Sequence, residues 1–104
     1  MGLLREVVPF LILTSTALTS GAQPYPEESI KKGATLFAEN CTPCHGEKMS
    51  NPDLFNLREF PKDQKSRFIN SVTNGKNAMP PWRAKFTPLD IENLWTYVFT
   101  GEKD

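Results

Sequence analysis

Apolar side chains recur at helical spacing in three stretches of the chain, and polarity alternates nowhere for more than a few residues. In the first stretch Ile30, Ala34 and Phe37 form one stripe. It predicts a helix starting at a Glu28 or Ser29 cap and running to about Glu39. Gly33 lies beside that stripe. A helical Gly costs roughly 1 kcal/mol against Ala, so it either marks the close approach of another element or is simply tolerated. In the second stretch Phe68, Ile69 and Val72 give the buried face of a helix over 61–73. Pro61 suits its first turn, Asp63 its positive end, and Asn74-Gly75 stops it. In the third, Ile91, Leu94, Trp95 and Val98 recur at i, i+3, i+4 and i+7. Thr87-Pro88-Leu89-Asp90 starts that helix with a capping Thr, a first-position Pro and an acid at the third position, and Gly101 ends it. Between these stretches, 46–59 is rich in turn formers, with Leu54, Phe55 and Leu57 directed inward. The segment 76–86 is a loop, because Pro80-Pro81 cannot lie inside a helix. The fold class expected is all-α, with three main helices.

The first 22 residues follow a different pattern. Arg5 stands near the start, Val7 to Leu13 is apolar but for Pro9, and small polar residues lead to Ser20-Gly21-Ala22. That order is the order of a cleavable secretory signal, with Ser20 and Ala22 at the −3 and −1 places. Glu6 offsets the charge of Arg5. A retained membrane anchor is the alternative, but the apolar run is shorter than the ~20 residues a spanning helix needs. The expectation is a signal over 1–22 and one domain over 23–104. A domain that small is marginal and commonly needs a staple, a metal or a cofactor.

The whole chain has 104 residues, with 12 Lys and Arg balanced by 12 Asp and Glu. It lacks the basic footprint of a nucleic-acid binder and the excess charge of a disordered acidic tail. Two Cys allow one disulfide at most, so this is not a cystine-stapled mini-protein.

Both Cys fall in Cys41-Thr42-Pro43-Cys44-His45, directly after the first helix. Two thiols at this spacing can each add across a vinyl group of haem, forming two thioether links, and the next His can reach the iron. Three other uses compete. A thioredoxin-like redox pair wants a βαβ setting, and the pattern contains no strands. A structural zinc site wants four ligands, and Cys41, Cys44 and His45 supply three, with a carboxylate needed for the fourth. A plain disulfide is the last.

Lys32-Gly33-Ala34-Thr35-Leu36-Phe37, the pentapeptide with Gly46, Asn51-Pro52-Asp53-Leu54 and Asn74-Gly75-Lys76-Asn77-Ala78-Met79-Pro80 together resemble class I cytochrome c in order and spacing. The resemblance implies the cytochrome c fold around one covalent haem c, held by Cys41 and Cys44. It makes His45 the proximal ligand and gives the Pro52 carbonyl the proton of that His, which would fix the ring and raise its basicity. The usual Gly before this Pro is Asn51 here. Leu54 belongs to the same haem-binding segment. Gly33 and Phe37 match the first-helix pair that packs on the last helix, facing Leu94 and Tyr97. Met79 matches the distal ligand; a thioether favours ferrous iron, raises the reduction potential and fills the sixth position. The other use for Met79 is as core filler. Met49, only four residues after His45, is poorly placed to reach the far face of the ring. Trp82 either donates its indole N–H to a haem propionate or packs in the core. Arg58 either pairs with a propionate or stays solvated. Trp95 and Phe68 are core.

The function implied is one-electron transfer in the periplasm, with no substrate transformed. The Met79-Pro80-Pro81-Trp82 pattern resembles cytochromes that serve bacterial dehydrogenases. It points to a quinoprotein alcohol dehydrogenase as donor and to an oxidase or another cytochrome as acceptor. The expected form is a monomer, not integral to the membrane once the signal is cleaved, with an apolar docking patch rimmed by Lys48, Lys76, Arg83 and Lys85. Two alternatives remain: a fixed haem subunit of an oxidoreductase complex, and a ligand-binding haem sensor should Met79 not bind iron.

Overall fold

The computed structural model describes residues 24–52 and 56–101. Four α-helices make the frame: α1 (Glu27–Asn40), α2 (Thr42–His45), α3 (Lys65–Asn74) and α4 (Pro88–Thr100). Short 3-10 turns at Glu47–Met49 and Leu57–Glu59 interrupt the loop between α2 and α3. Among the described residues there is no strand; one isolated bridge pairs Lys76 with Met79. The proposed signal over 1–22 lies outside the described residues, as do Leu54 and Phe55.

Helix α4 is the centre of the fold. Its expected stripe of Ile91, Leu94, Trp95 and Val98 is buried, but so are Asn93, Thr96 and Tyr97 on its other faces. Thr96 Oγ1 donates to the Asn93 carbonyl within the helix, so that hydroxyl is satisfied where it is buried (2.7 Å). The Thr87 start forms as expected: Thr87 Oγ1 accepts from Asp90 N (3.0 Å), and Asp90 accepts from Thr87 N (2.9 Å).

Helix α1 lies across α4 at Gly33. A Cβ at that position would overlap the Asn93 carbonyl and come within 2.9 Å of Tyr97 Cβ, so the glycine permits the crossing. Phe37 continues the contact one turn on, its ring 5.3 Å from that of Tyr97. The Gly33 and Phe37 match to the last helix is therefore realised, with Tyr97 as the main facing side chain. Ile30 and Ala34 pack on the same core from half-buried positions. The helix starts one residue before the expected caps, at Glu27, and Pro26 is its cap residue without a side-chain bond. Glu27 and Glu28 then occupy the first turn, where the helix dipole favours them.

Helix α3 begins four residues later than Pro61 suggested. Gln64 N returns to the Pro61 carbonyl (3.2 Å) and Gln64 is not helical (φ −120°, ψ 47°), so Pro61 opens a separate turn. That turn buries Phe60 edge-on against Phe68 and Trp95. It also brings Lys62 Nζ to the Phe99 carbonyl at the end of α4 (2.8 Å). Tertiary contacts thus override the local helix signal. Phe68 and Val72 face the core as expected, and Trp95 is 1% exposed.

Candidate functional site

Cys41 closes α1 and opens α2, a single turn carrying Thr42, Pro43, Cys44 and His45. Cys41 and His45 are half-buried and Cys44 is exposed. Both thiols are free. Burial, with the neighbouring Cys44 thiol adding, pushes the Cys41 thiol up to about 11. At neutral pH the Cys41 thiol is protonated. Among the described residues no three His, Cys, Asp or Glu side chains gather as a metal site.

Burial lowers the His45 pKa below the ordinary histidine value, so the ring is neutral with a lone pair to give. Its Nδ1 is buried without a hydrogen-bond partner. A dry, unpaired polar atom costs about 1–3 kcal/mol. The bond expected from His45 to the Pro52 carbonyl is therefore not formed, and Pro52 itself is exposed. The chain enters Pro52 from Asn51, which is bonded back to the turn. Asn51 N donates to the His45 carbonyl (2.9 Å) and Asn51 Nδ2 to the Cys44 carbonyl (2.8 Å), which sets the course of the chain into Pro52.

Met79 stands on the loop between α3 and α4, half-buried and packed against the core. The loop is tied at both levels. Lys76 and Met79 exchange backbone hydrogen bonds (3.0 and 2.9 Å) at its tip. At its base Trp82 N donates to the Val72 carbonyl (2.9 Å) and Arg83 N to that of Thr73 (3.3 Å). Trp82 is half-buried and stacks on Phe86, 5.1 Å between centroids at 12°. Arg58 is half-buried, and its Nε donates to the Lys48 carbonyl (2.9 Å), bracing the loop after α2. Met49 is 1% exposed within the hydrophobic core, which accounts for that side chain as filler.

Sequence reasoning did not select Asn51 as a site residue. Its signal was present as a departure from the family pattern. The left-handed backbone at Lys48 (φ 53°) and Met49 (φ 61°) had no sequence signal at all.

The donor set fits an iron porphyrin: two unpaired thiols and an imidazole with a dry nitrogen on one turn, and a thioether on a tied loop. A helix-closing Cys-x-x-Cys-His turn in an all-helical frame, with the first helix crossing the last, defines a class I c-type cytochrome. A family model described as cytochrome c oxidase, cbb3-type, subunit III matches residues 28–98, and the chain belongs to that family. Among its relatives is the cbb3-type cytochrome c oxidase subunit FixP of Azorhizobium caulinodans, 34% identical over 88 residues. That match covers 78% of this chain but 30% of the relative, so the chain spans under a third of FixP. Cytochrome c6 of Synechococcus is 31% identical over 102 residues, 91% of each protein. Cytochrome c6 of Gracilaria tenuistipitata is 35% identical over 107 residues, covering 97% of this chain and 98% of the relative. The chain thus carries a covalently bound haem c and is an electron-transfer protein, not in itself an enzyme.

Proposed function

We propose that the protein is a one-electron carrier working outside the cytoplasm, with Cys41 and Cys44 bonding the haem and His45 and Met79 as its axial ligands. The observation that carries this is the turn that presents both thiols beside the half-buried His45 imidazole, whose Nδ1 is buried and unpartnered. The haem supplies the one-electron couple. Neutral His45 gives a lone pair, Phe37 flanks its ring at 6.2 Å, and the tied loop holds Met79 against the core. Trp82 and Arg58 are the side chains assigned to the propionates, and Pro52 and Leu54 to the haem-binding segment that follows the turn.

The ligand assignment is tested by Met79→Ala. The variant should lose the weak long-wavelength sulfur-to-iron band of the ferric protein. It should bind carbon monoxide when reduced and drop in potential, because the thioether no longer favours ferrous iron. Loss of the band in Met49→Ala with its survival in Met79→Ala would contradict the assignment.

The residue pattern of 1–22, read as a cleaved secretory signal, supports a periplasmic place. No helix among the described residues is long and apolar enough to cross a membrane. For the donor we propose a quinoprotein alcohol dehydrogenase, on the resemblance of Met79-Pro80-Pro81-Trp82, with a respiratory oxidase as acceptor. Lys48, Lys76, Arg83 and Lys85 are all exposed, which suits an acidic partner face. Stopped-flow reduction of the ferric protein should slow as salt screens these charges, over ~10 Å at 0.1 M. Reversing Lys76, Arg83 and Lys85 should slow it too, and rates indifferent to both changes would discard the basic rim. The matched family and the FixP relative are oxidase subunits by name, which favours a second reading: a haem module working within an oxidase assembly. Co-purification with an oxidase at stoichiometric yield supports that reading, and isolation as a free monomer supports the carrier.

A further inference from the structure

We infer that Asn51 is a positioning residue for the His45 ligand, clamping the carbonyl end of the turn that carries both thiols and the imidazole. The inference rests on the reading of His45 as the haem ligand. A helix leaves its last carbonyls without partners inside the helix. In α2 the Cys41 carbonyl accepts from His45 N (2.9 Å) and the Thr42 carbonyl from Gly46 N (2.8 Å). The Cys44 and His45 carbonyls lie beyond that reach, and Asn51 takes both, with Nδ2 on Cys44 and its backbone N–H on His45. One residue thereby fixes the peptide on either side of the His45 Cα, and so the base from which the ring projects.

Two further features show that the clamp is built in. Gly46 has φ +79°, and a Cβ there would stand 2.8 Å from Asn51 N and 3.2 Å from Asn51 Cβ, so the chain can return this closely only past a glycine. The intervening loop runs through left-handed Lys48 and Met49, a costly backbone that persists only when its surroundings hold it. The burial of Met49 and the Arg58 bond to the Lys48 carbonyl hold it. The side-chain half of the clamp is the Asn51 amide itself, which a residue without a side-chain donor cannot supply. Groups outside the ligand set that orient a ligating His tune the metal through it.

The test uses holoprotein with Asn51→Ala, Asn51→Asp and Asn51→Gln. The readouts are the hyperfine-shifted haem-methyl and His45 resonances of the ferric state and the midpoint potential. Asn51→Asp keeps the shape but turns a carboxylate toward the Cys44 carbonyl, so it should move both readouts most. Asn51→Ala should move them less, and Asn51→Gln, which keeps an amide donor at an edge open to solvent, should bring them back toward the wild type. Lys62→Met loosens the end of α4 and serves as the stability control, with both readouts unchanged. If Asn51→Asp takes up no haem, the difference between Asn51→Ala and Asn51→Gln decides. Readouts unmoved in Asn51→Ala, no recovery in Asn51→Gln, or equal shifts in Lys62→Met would overturn the clamp. A wild-type protein without a His-ligated low-spin spectrum would instead overturn the reading of His45, before any variant is made.

Discussion

Trp95 shows how a single buried residue depends on a distant partner. Its indole is 1% exposed, and its Nε1–H donates to the Tyr25 hydroxyl (2.9 Å), seventy residues away in the chain. Tyr25 also sets its ring edge-on to Phe99 at 5.3 Å. The apolar pattern places Trp95 in the core but gives no sign of where its one polar atom goes, because Tyr25 sits in a Pro-flanked lead-in with no periodicity. Tyr25→Phe keeps the ring contact and strands the indole N–H, at a cost of about 1–3 kcal/mol. Denaturant unfolding of the holoprotein should show a lower midpoint at unchanged slope. An unchanged midpoint would mean that the bond contributes nothing net. Tyr25 is also the third residue after the proposed cleavage at Ala22, so trimming the chain to begin at Pro26 should cost at least as much.

At the scale of elements, the α1–α4 crossing and the start of α4 are the places where the structure predicts most from least. Gly33→Ala gains helix propensity of roughly 1 kcal/mol but forces a methyl into the Asn93 carbonyl. Overpacking of this kind costs about 1–3 kcal/mol. Because the obstacle is backbone of the central helix, the net effect should be destabilising, read as a lower thermal midpoint. Thr87→Ala removes half of the capping box and should cost about 1 kcal/mol by the same measurement. Both features were legible in the sequence, since each is written in local residues: a glycine inside an apolar stripe, and Thr-Pro-Leu-Asp before another. The late start of α3 was not, because Phe60 and Lys62 earn it through contacts with Trp95 and Phe99. The burial of Asn93, Thr96 and Tyr97 on α4 was not either. A single stripe at 3.6-residue spacing describes a helix with one covered face, and Asn93 and Thr96 read as the solvent side until α1 is laid across them. In the site, residues 41–45 announced the chemistry outright, whereas the clamp at Asn51 needs a loop geometry that no periodicity encodes.

For the whole molecule, the core is an aromatic-rich cluster of Phe37, Phe60, Phe68, Phe86, Trp95 and Tyr97 with a few aliphatic side chains. A domain of this size buries too little of its own surface to be secure without help. Covalent haem would supply the missing apolar surface and tie α1, α2 and the Met79 loop to one rigid body. Replacing Cys41 and Cys44 by Ala should therefore do more than lose colour: circular dichroism should show much of the helix signal lost at 25 °C. A fully helical, cooperatively melting double variant would show that the polypeptide core suffices. The central claim, a covalent low-spin haem c on residues 41–45, is tested most directly by protein made with a haem-attachment system, extracted with acid–acetone and weighed by denaturing mass spectrometry. The colour should stay with the polypeptide, whose mass should increase by one haem. A colourless folded protein at the bare polypeptide mass, or haem that leaves with the solvent, would contradict it.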